Sequence, residues 1–278
     1  MLTAIVMAAA TVGCQSDTSH LEKKIDDLSA KMDAFMKTGG ARGAGQQQAR
    51  RPEPDRAKTY SVPIEGDPFE GPADAKVTLV KAYDYACPYC EKVRDTMDQL
   101  RQKYGNDLRV VYKQFVVHPQ VAMAGALASC AADKQGKFVE FDKALWDKGF
   151  KGRQFDKDAQ AAEAGGQAQR CWETDAGCPV VLGFATELGL DQAKFKADMK
   201  TCSSLVQKDM KDLQQLGVGA TPSFFINGRF LSGAMPIDNF SALIDEELKK
   251  ANEQIQKGTP QAQYYQQMIV DKGLKTLQ

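Results

Sequence analysis

The sequence predicts an α/β fold with a long helical insertion, reached through a short amphipathic stalk and a flexible linker. Three observations carry this reading. A β-branched and aromatic run from Lys76 to Tyr85 leads, through Ala86 and Cys87-Pro88-Tyr89-Cys90, into an amphipathic helical pattern. A second strand signal, Ser223 to Ile226, ends on Asn227-Gly228, a strong two-residue hairpin turn. Between them, Gln120 to Gln215 is rich in Ala, Gln, Lys and Leu and repeats helical patterns.

The 278 residues are 43% hydrophobic, enough for a core, and 36 basic residues balance 36 acidic ones. No basic excess marks a nucleic-acid surface. After the N-terminus no apolar run approaches the roughly 18 residues that a membrane-spanning helix needs.

Taken in order, Leu2 to Ala10 is a short apolar stretch of signal-peptide length. Thr11-Val12-Gly13-Cys14 follows and resembles a bacterial lipoprotein box, although Thr11 stands where Leu is usual. The resemblance implies cleavage and acylation of Cys14; plain secretion and an uncleaved segment stay open. Residues 15–38 form the stalk. Leu21, Ile25, Leu28, Met32 and Phe35 are spaced four, three, four and three apart, the seam of a short coiled coil. The same pattern suits an amphipathic helix lying on lipid or on the domain. Residues 39–58, rich in Gly, Gln, Ala, Arg and Pro, read as a linker with an r.m.s. span of about 25 Å. The folded domain is expected over 59–251, with the helical insertion at about 119–215, and a helical tail over 252–278.

Seven cysteines are present. With Cys14 acylated, six remain, which pair as three; that suits an oxidising compartment. Cys87 and Cys90 sit at a strand-to-helix junction. Unpaired N–H groups and the helix dipole there stabilise a thiolate and lower its pKa. Pro88 fits the first helical turn. Cys87 is expected to be the exposed nucleophile and Cys90 the shielded resolving thiol. The rival reading of this pair, half a zinc site, needs two further ligands. The chain has only His20 and His118, far apart, and no second pair of this spacing, so no metal or other cofactor is expected.

Tyr83-Asp84-Tyr85-Ala86-Cys87-Pro88-Tyr89-Cys90, followed far downstream by Gly217-Val218-Gly219-Ala220-Thr221-Pro222-Ser223-Phe224-Phe225-Ile226-Asn227-Gly228, resembles the DsbA-like branch of the thioredoxin superfamily. The likeness runs from about Tyr60 to Ala251 and includes His118-Pro119 and Gln135-Gly136-Lys137-Phe138. It implies a thioredoxin-like sheet of four or five strands with a helical insertion between its halves. It also implies a cis peptide before Pro222, in a loop that faces the cysteine pair and binds substrate backbone. Family members often carry an acid six positions before the first active cysteine, where it can relay protons to the buried thiol; here that position is Lys81, which reads as a surface lysine, whereas a buried one would itself favour the thiolate. The strongest oxidants have His where this chain has Tyr89, so a weaker oxidant is expected.

Cys130, Cys171, Cys178 and Cys202 are read as structural. Cys171 and Cys178 suit a small closed loop and Cys130 with Cys202 would join two helices, though four cysteines allow three pairings. His118, beside Pro119, reads as structural, and Trp146 and Trp172 as anchors. Thr259-Pro260 opens the tail, whose Tyr264, Tyr265, Met268 and Ile269 form an apolar stripe expected to dock on the domain.

These readings converge on an extracytoplasmic, periplasmic enzyme, anchored to the membrane by lipid, that exchanges disulfides with protein substrates and is recycled by a membrane redox partner. Oxidase is the leading mode. An isomerase or reductase acting as a stalk-mediated homo-oligomer is the alternative; a non-catalytic binding or chaperone module is the reading from another class.

Overall fold

The computed structural model describes residues 53–158 and 170–277, with Lys23, Lys24, Asp27, Ala30 and Lys31 of the N-terminal stretch. The chain divides into two units, Met1–Arg50 and Arg51–Gln278. In the first, the five described residues are exposed; Lys23, Lys24, Asp27, Ala30 and Lys31 are helical, and Lys31 Nζ pairs with Asp27 at 2.7 Å. Cys14, the seam residues Leu21, Ile25, Leu28, Met32 and Phe35, and the linker up to residue 52 lie outside the described residues.

The second unit is built on five strands: β1 (Phe69–Glu70), β2 (Val77–Tyr83), β3 (Leu108–Gln114), β4 (Ser223–Ile226) and β5 (Arg229–Ser232), in the order β1-β3-β2-β4-β5. Only β2 and β3 run parallel; the other pairs are antiparallel. Every residue of β2 is buried, because helices or the tail cover both faces of the sheet.

The parallel pair needs a crossover. It is supplied by α1 (Pro88–Lys92) and α2 (Arg94–Tyr104), which the sequence reads as one helix and which break at Val93. The apolar spacing survives the break, since Val93, Met97 and Leu100 are all buried. The insertion follows β3: α3 (Pro119–Asp133), α4 (Phe138–Ala144), a wide turn over Leu145–Phe150, α5 (Pro179–Glu187) and α6 (Gln192–Gln215). Disulfides join Cys130 of α3 to Cys202 of α6, and Cys171 to Cys178. The β4–β5 turn has Asn227 at φ 43° and Gly228 at φ 78°. A Cβ at Gly228 would meet the Tyr60 carbonyl at 2.4 Å, so glycine is required there twice over. α7 (Ile237–Gln256) follows β5 and packs on the sheet.

Two boundaries differ from the sequence reading. Glu53 to Lys58 are not linker: Lys58 N–H donates to the Asp55 carbonyl, Asp55 N–H to the Tyr60 hydroxyl at 2.8 Å, and Arg229 Nε to the Arg56 carbonyl. Composition hid this because the contacts are made by backbone. The tail buries Tyr264, Tyr265 and Ile269 against the domain, yet it is a short tight turn (Gln261–Gln263) and a wide one (Tyr265–Val270) rather than an α-helix.

Candidate active site

The C-terminal end of β2 runs into Asp84-Tyr85-Ala86 and then the cysteine pair. Cys87 occupies the N-cap of α1, with Pro88 in the first turn and the Cys87 carbonyl accepting from Cys90 N–H and Glu91 N–H. β4 is antiparallel to β2 with Ser223 opposite Ala82, so Pro222 arrives at the same end of the sheet. The Thr221–Pro222 peptide is cis, and Cys87 Sγ lies 3.3 Å from the Thr221 carbonyl oxygen, to which its thiol donates. Cys87, Cys90, Thr221 and Pro222 are therefore brought together from positions more than a hundred residues apart. Pro88 and Tyr89 sit on the outer side of this cluster, and Tyr89 is 61% exposed.

The two thiols are unequal. Cys87 keeps 5% of its surface and Cys90 none, so Cys87 is a narrow opening rather than the exposed nucleophile that the sequence suggested. The Cys90 thiol, by hydrogen bonding to Cys87, lowers the Cys87 pKa to about 5. The Thr221 side chain and the backbone N–H groups of Cys90 and Tyr89 act in the same direction, and they outweigh burial. Burial and its hydrogen bond to Cys87 push Cys90 strongly upward. One sulfur is thus set as thiolate and the other as thiol.

Asp84 organises this end of the sheet. Its Oδ1 accepts from Ala86 N–H at 2.6 Å; its Oδ2 accepts from the N–H groups of Val117 and His118 at 2.6 and 2.7 Å and lies 3.2 Å from His118 Nδ1. The Asp84 carbonyl accepts from Cys87 N–H. His118 stands at the N-cap of α3, without a side-chain cap bond, and through Asp84 ties its loop to the active-site turn.

Lys81 corrects the sequence reading. It is 2% exposed, not a surface lysine. Its Nζ lies 5.1, 5.5 and 5.8 Å from the ring centres of Tyr83, Tyr112 and Trp146. Trp146, fully buried, is an anchor as expected; it belongs to the wide turn after α4 and brings Asp142 with it. Sequence reasoning missed Asp142, because nothing local marks a partner some 60 residues away. Trp172, partly buried, packs beside the Cys171–Cys178 bridge. Among the described residues no group of three or more His, Cys, Asp or Glu side chains is arranged to hold a metal.

This fold and this paired-thiol site define a class. A thioredoxin family model matches residues 64–246, and the chain belongs to that family. Within it, the likenesses are to DsbA-like proteins. Disulfide bond formation protein D of Bacillus subtilis strain 168 is 25% identical over 189 residues, 67% of this chain and 79% of that one. The structure of oxidised BdbD from Bacillus subtilis shares the fold at a TM-score of 0.56, with 22% identity, over 71% of this chain and 100% of that one. A Na+/H+ antiporter NhaA of Herminiimonas arsenicoxydans is 31% identical over 186 residues, 66% of this chain. The match spans only 26% of that antiporter's length.

Proposed function

We propose that this protein is an extracytoplasmic thiol–disulfide oxidoreductase that works chiefly as an oxidase. The observation that carries the reading is the inequality of the two thiols. A Cys87 thiolate stabilised by its surroundings favours the reduced pair, so the Cys87–Cys90 disulfide is readily given up. A substrate thiolate attacks Cys87 through its narrow opening and forms a mixed disulfide, with Cys90 as leaving group. A second substrate thiol then attacks the substrate sulfur and releases Cys87 as thiolate. The Thr221–Pro222 loop borders the sulfur and offers backbone groups to the substrate chain. Tyr89 presents an apolar surface beside it.

Two disulfides outside the site support an oxidising compartment. No helix among the described residues is long and apolar enough to cross a membrane. Attachment falls to acylation of Cys14, which would hold the enzyme near a membrane redox partner that reoxidises it. Assembly through the stalk would shift the balance toward isomerase work.

The test is equilibration of the Cys87–Cys90 pair in the full chain with glutathione. A potential toward roughly −120 mV supports the oxidase, and one near roughly −200 mV or lower supports the isomerase or reductase. Absence of reversible two-electron exchange would leave a binding module.

A further inference from the structure

Where a parallel pair of strands comes to its end, the next backbone donors need other acceptors. At the sulfur end of β2 and β3 the Tyr83 carbonyl accepts from Phe115 N–H at 2.9 Å. Beyond that bond the Asp84 carboxylate takes over the role of the ladder. One of its oxygens accepts from the N–H groups of Val117 and His118, on the loop that leaves β3 and opens α3. The other accepts from Ala86 N–H, two residues on, which makes an Asx turn. That turn is nested in a β-turn, closed by Cys87 N–H donating to the Asp84 carbonyl at 3.1 Å.

Asp84 is fully buried, and a buried carboxylate is costly unless its oxygens are bonded. Here the compensation comes from main-chain N–H groups at 2.6 to 2.7 Å, short bonds of the charge-assisted kind. Because these donors are main chain, they cannot rotate away as side chains can. The carboxylate is a brace between the cysteine turn and the loop after β3. What hangs from the brace is the sulfur site. Cys87 is the N-cap of α1, and the N–H groups of Cys90 and Tyr89 that help to stabilise its thiolate belong to the first turn of that helix. From the other side, the Thr221 carbonyl lies 3.3 Å from Cys87 Sγ.

We propose that Asp84 is a positioning residue for Cys87, its carboxylate bracing the cysteine turn so that the donors of α1 and the Thr221 loop converge on one sulfur. This rests on the disulfide-exchange reading of the site. The carboxylate acts through the backbone and not as a charge. The two roles have opposite signs. As a bare negative charge beside the turn, Asp84 would disfavour the Cys87 thiolate; as the brace that aims its donors, Asp84 favours it.

The variant Asp84→Asn separates them. It is nearly isosteric, removes the charge and leaves one acceptor oxygen in place of two. Its amide nitrogen must face either Ala86 N–H or the N–H groups of Val117 and His118, so one grip of the brace is lost. Thiolate is followed by ultraviolet absorbance of the reduced full chain across pH. In Asp84→Asn the Cys87 midpoint rises by at least about one pH unit, a tenfold shift toward thiol. A less stable thiolate weakens the reduced form, so the equilibrium with glutathione moves toward the protein disulfide, by up to about the same tenfold. A midpoint that is unmoved or lowered in a folded Asp84→Asn chain overturns the proposal, since a structural tie moves nothing and a bare charge moves it down. If Asp84→Asn does not fold, Asp84→Glu carries the test. It keeps the charge and both oxygens but sets them one methylene further out, and the midpoint rises again; an unmoved midpoint overturns the proposal. A wild-type chain without reversible exchange against glutathione refutes the exchange reading itself and leaves the Cys87 titration readable, so the two failures are distinct.

Discussion

Two buried lysines on neighbouring strands of one sheet have opposite surroundings. Lys81 of β2 lies on the cysteine face among aromatic rings, with Asp142 the charge that most favours its ammonium form. Lys113 of β3 lies on the other face, its Nζ 2.6 Å from Asp67 Oδ2 and 2.6 Å from Asp209 Oδ1, with all three side chains closed from solvent. Burial pulls Lys113 down, but the two carboxylates outweigh it and hold the ammonium charged. Asp67, by burial first and the nearby Asp209 second, is raised to about 8. Asp209 also accepts from Gln114 N–H and so ties α6 to β3. The difference teaches that burial acts on a lysine through what else is buried with it. Where opposite charge closes around Lys113 its pKa is raised; where rings surround Lys81 burial prevails and its pKa is lowered.

The comparison breaks most readily at the sulfurs. Cys87→Ser is expected to abolish disulfide exchange, by at least about a thousandfold in an insulin-reduction or thiol-oxidation assay, without unfolding the chain. Exchange that persists would detach chemistry from the cysteine face altogether.

Lys113→Met, next in size, leaves two buried acids without their cation and costs about 3–5 kcal/mol in denaturant unfolding. Lys81→Met places an apolar chain among rings and changes stability by less than about 2 kcal/mol. Equal losses would erase the distinction between the two sites.

The pH slopes sharpen it further. Cys87 has a folded pKa lowered to about 5 from about 9. Its contribution to the reduced protein is complete above about 9 and is lost as pH falls through about 5. The disulfide form lacks it, so reduced-minus-oxidised stability should grow from pH 5 to pH 9. Asp67 behaves in reverse. Its folded pKa is raised to about 8 from 3.8, so its contribution is complete below about 4 and is lost as pH rises toward about 8. The smallest expected effect is therefore in Asp67→Asn, which should flatten that fall in unfolding measurements at about pH 5 and about pH 8. A slope that remains would assign it to another group.

The two sites were not equally legible in the sequence. The cysteine pair was, because a β-branched run, a Pro in the first helical turn and the paired spacing all agree locally. So was the Asn227-Gly228 turn, since positive φ at both positions restricts the residues allowed. The environment of Lys81 was not. Period-two alternation separates inside from outside only when one face of a sheet meets water, and here both faces are covered. Asp142 and Trp146 reach Lys81 from the insertion, and Asp67 reaches Lys113 from a loop residue before a proline. Such partners leave no trace in spacing. The break at Val93 was also invisible, because the apolar positions on either side keep helical register.

The ends of the folded unit have a further consequence. Tyr60 N–H donates to the Gly228 carbonyl, Ser61 N–H to the Leu274 carbonyl and Leu274 N–H to the Thr59 carbonyl. The Ser61 hydroxyl donates to the Val270 carbonyl and the Tyr265 hydroxyl to the Val62 carbonyl. Residues 59–62 and 265–274 are thus stitched side by side at the Gly228 end of β4, while Pro222 and the sulfurs stand at its opposite end. The unit has a handle and a working tip. Both ends of this unit thus leave it on the side away from the sulfurs.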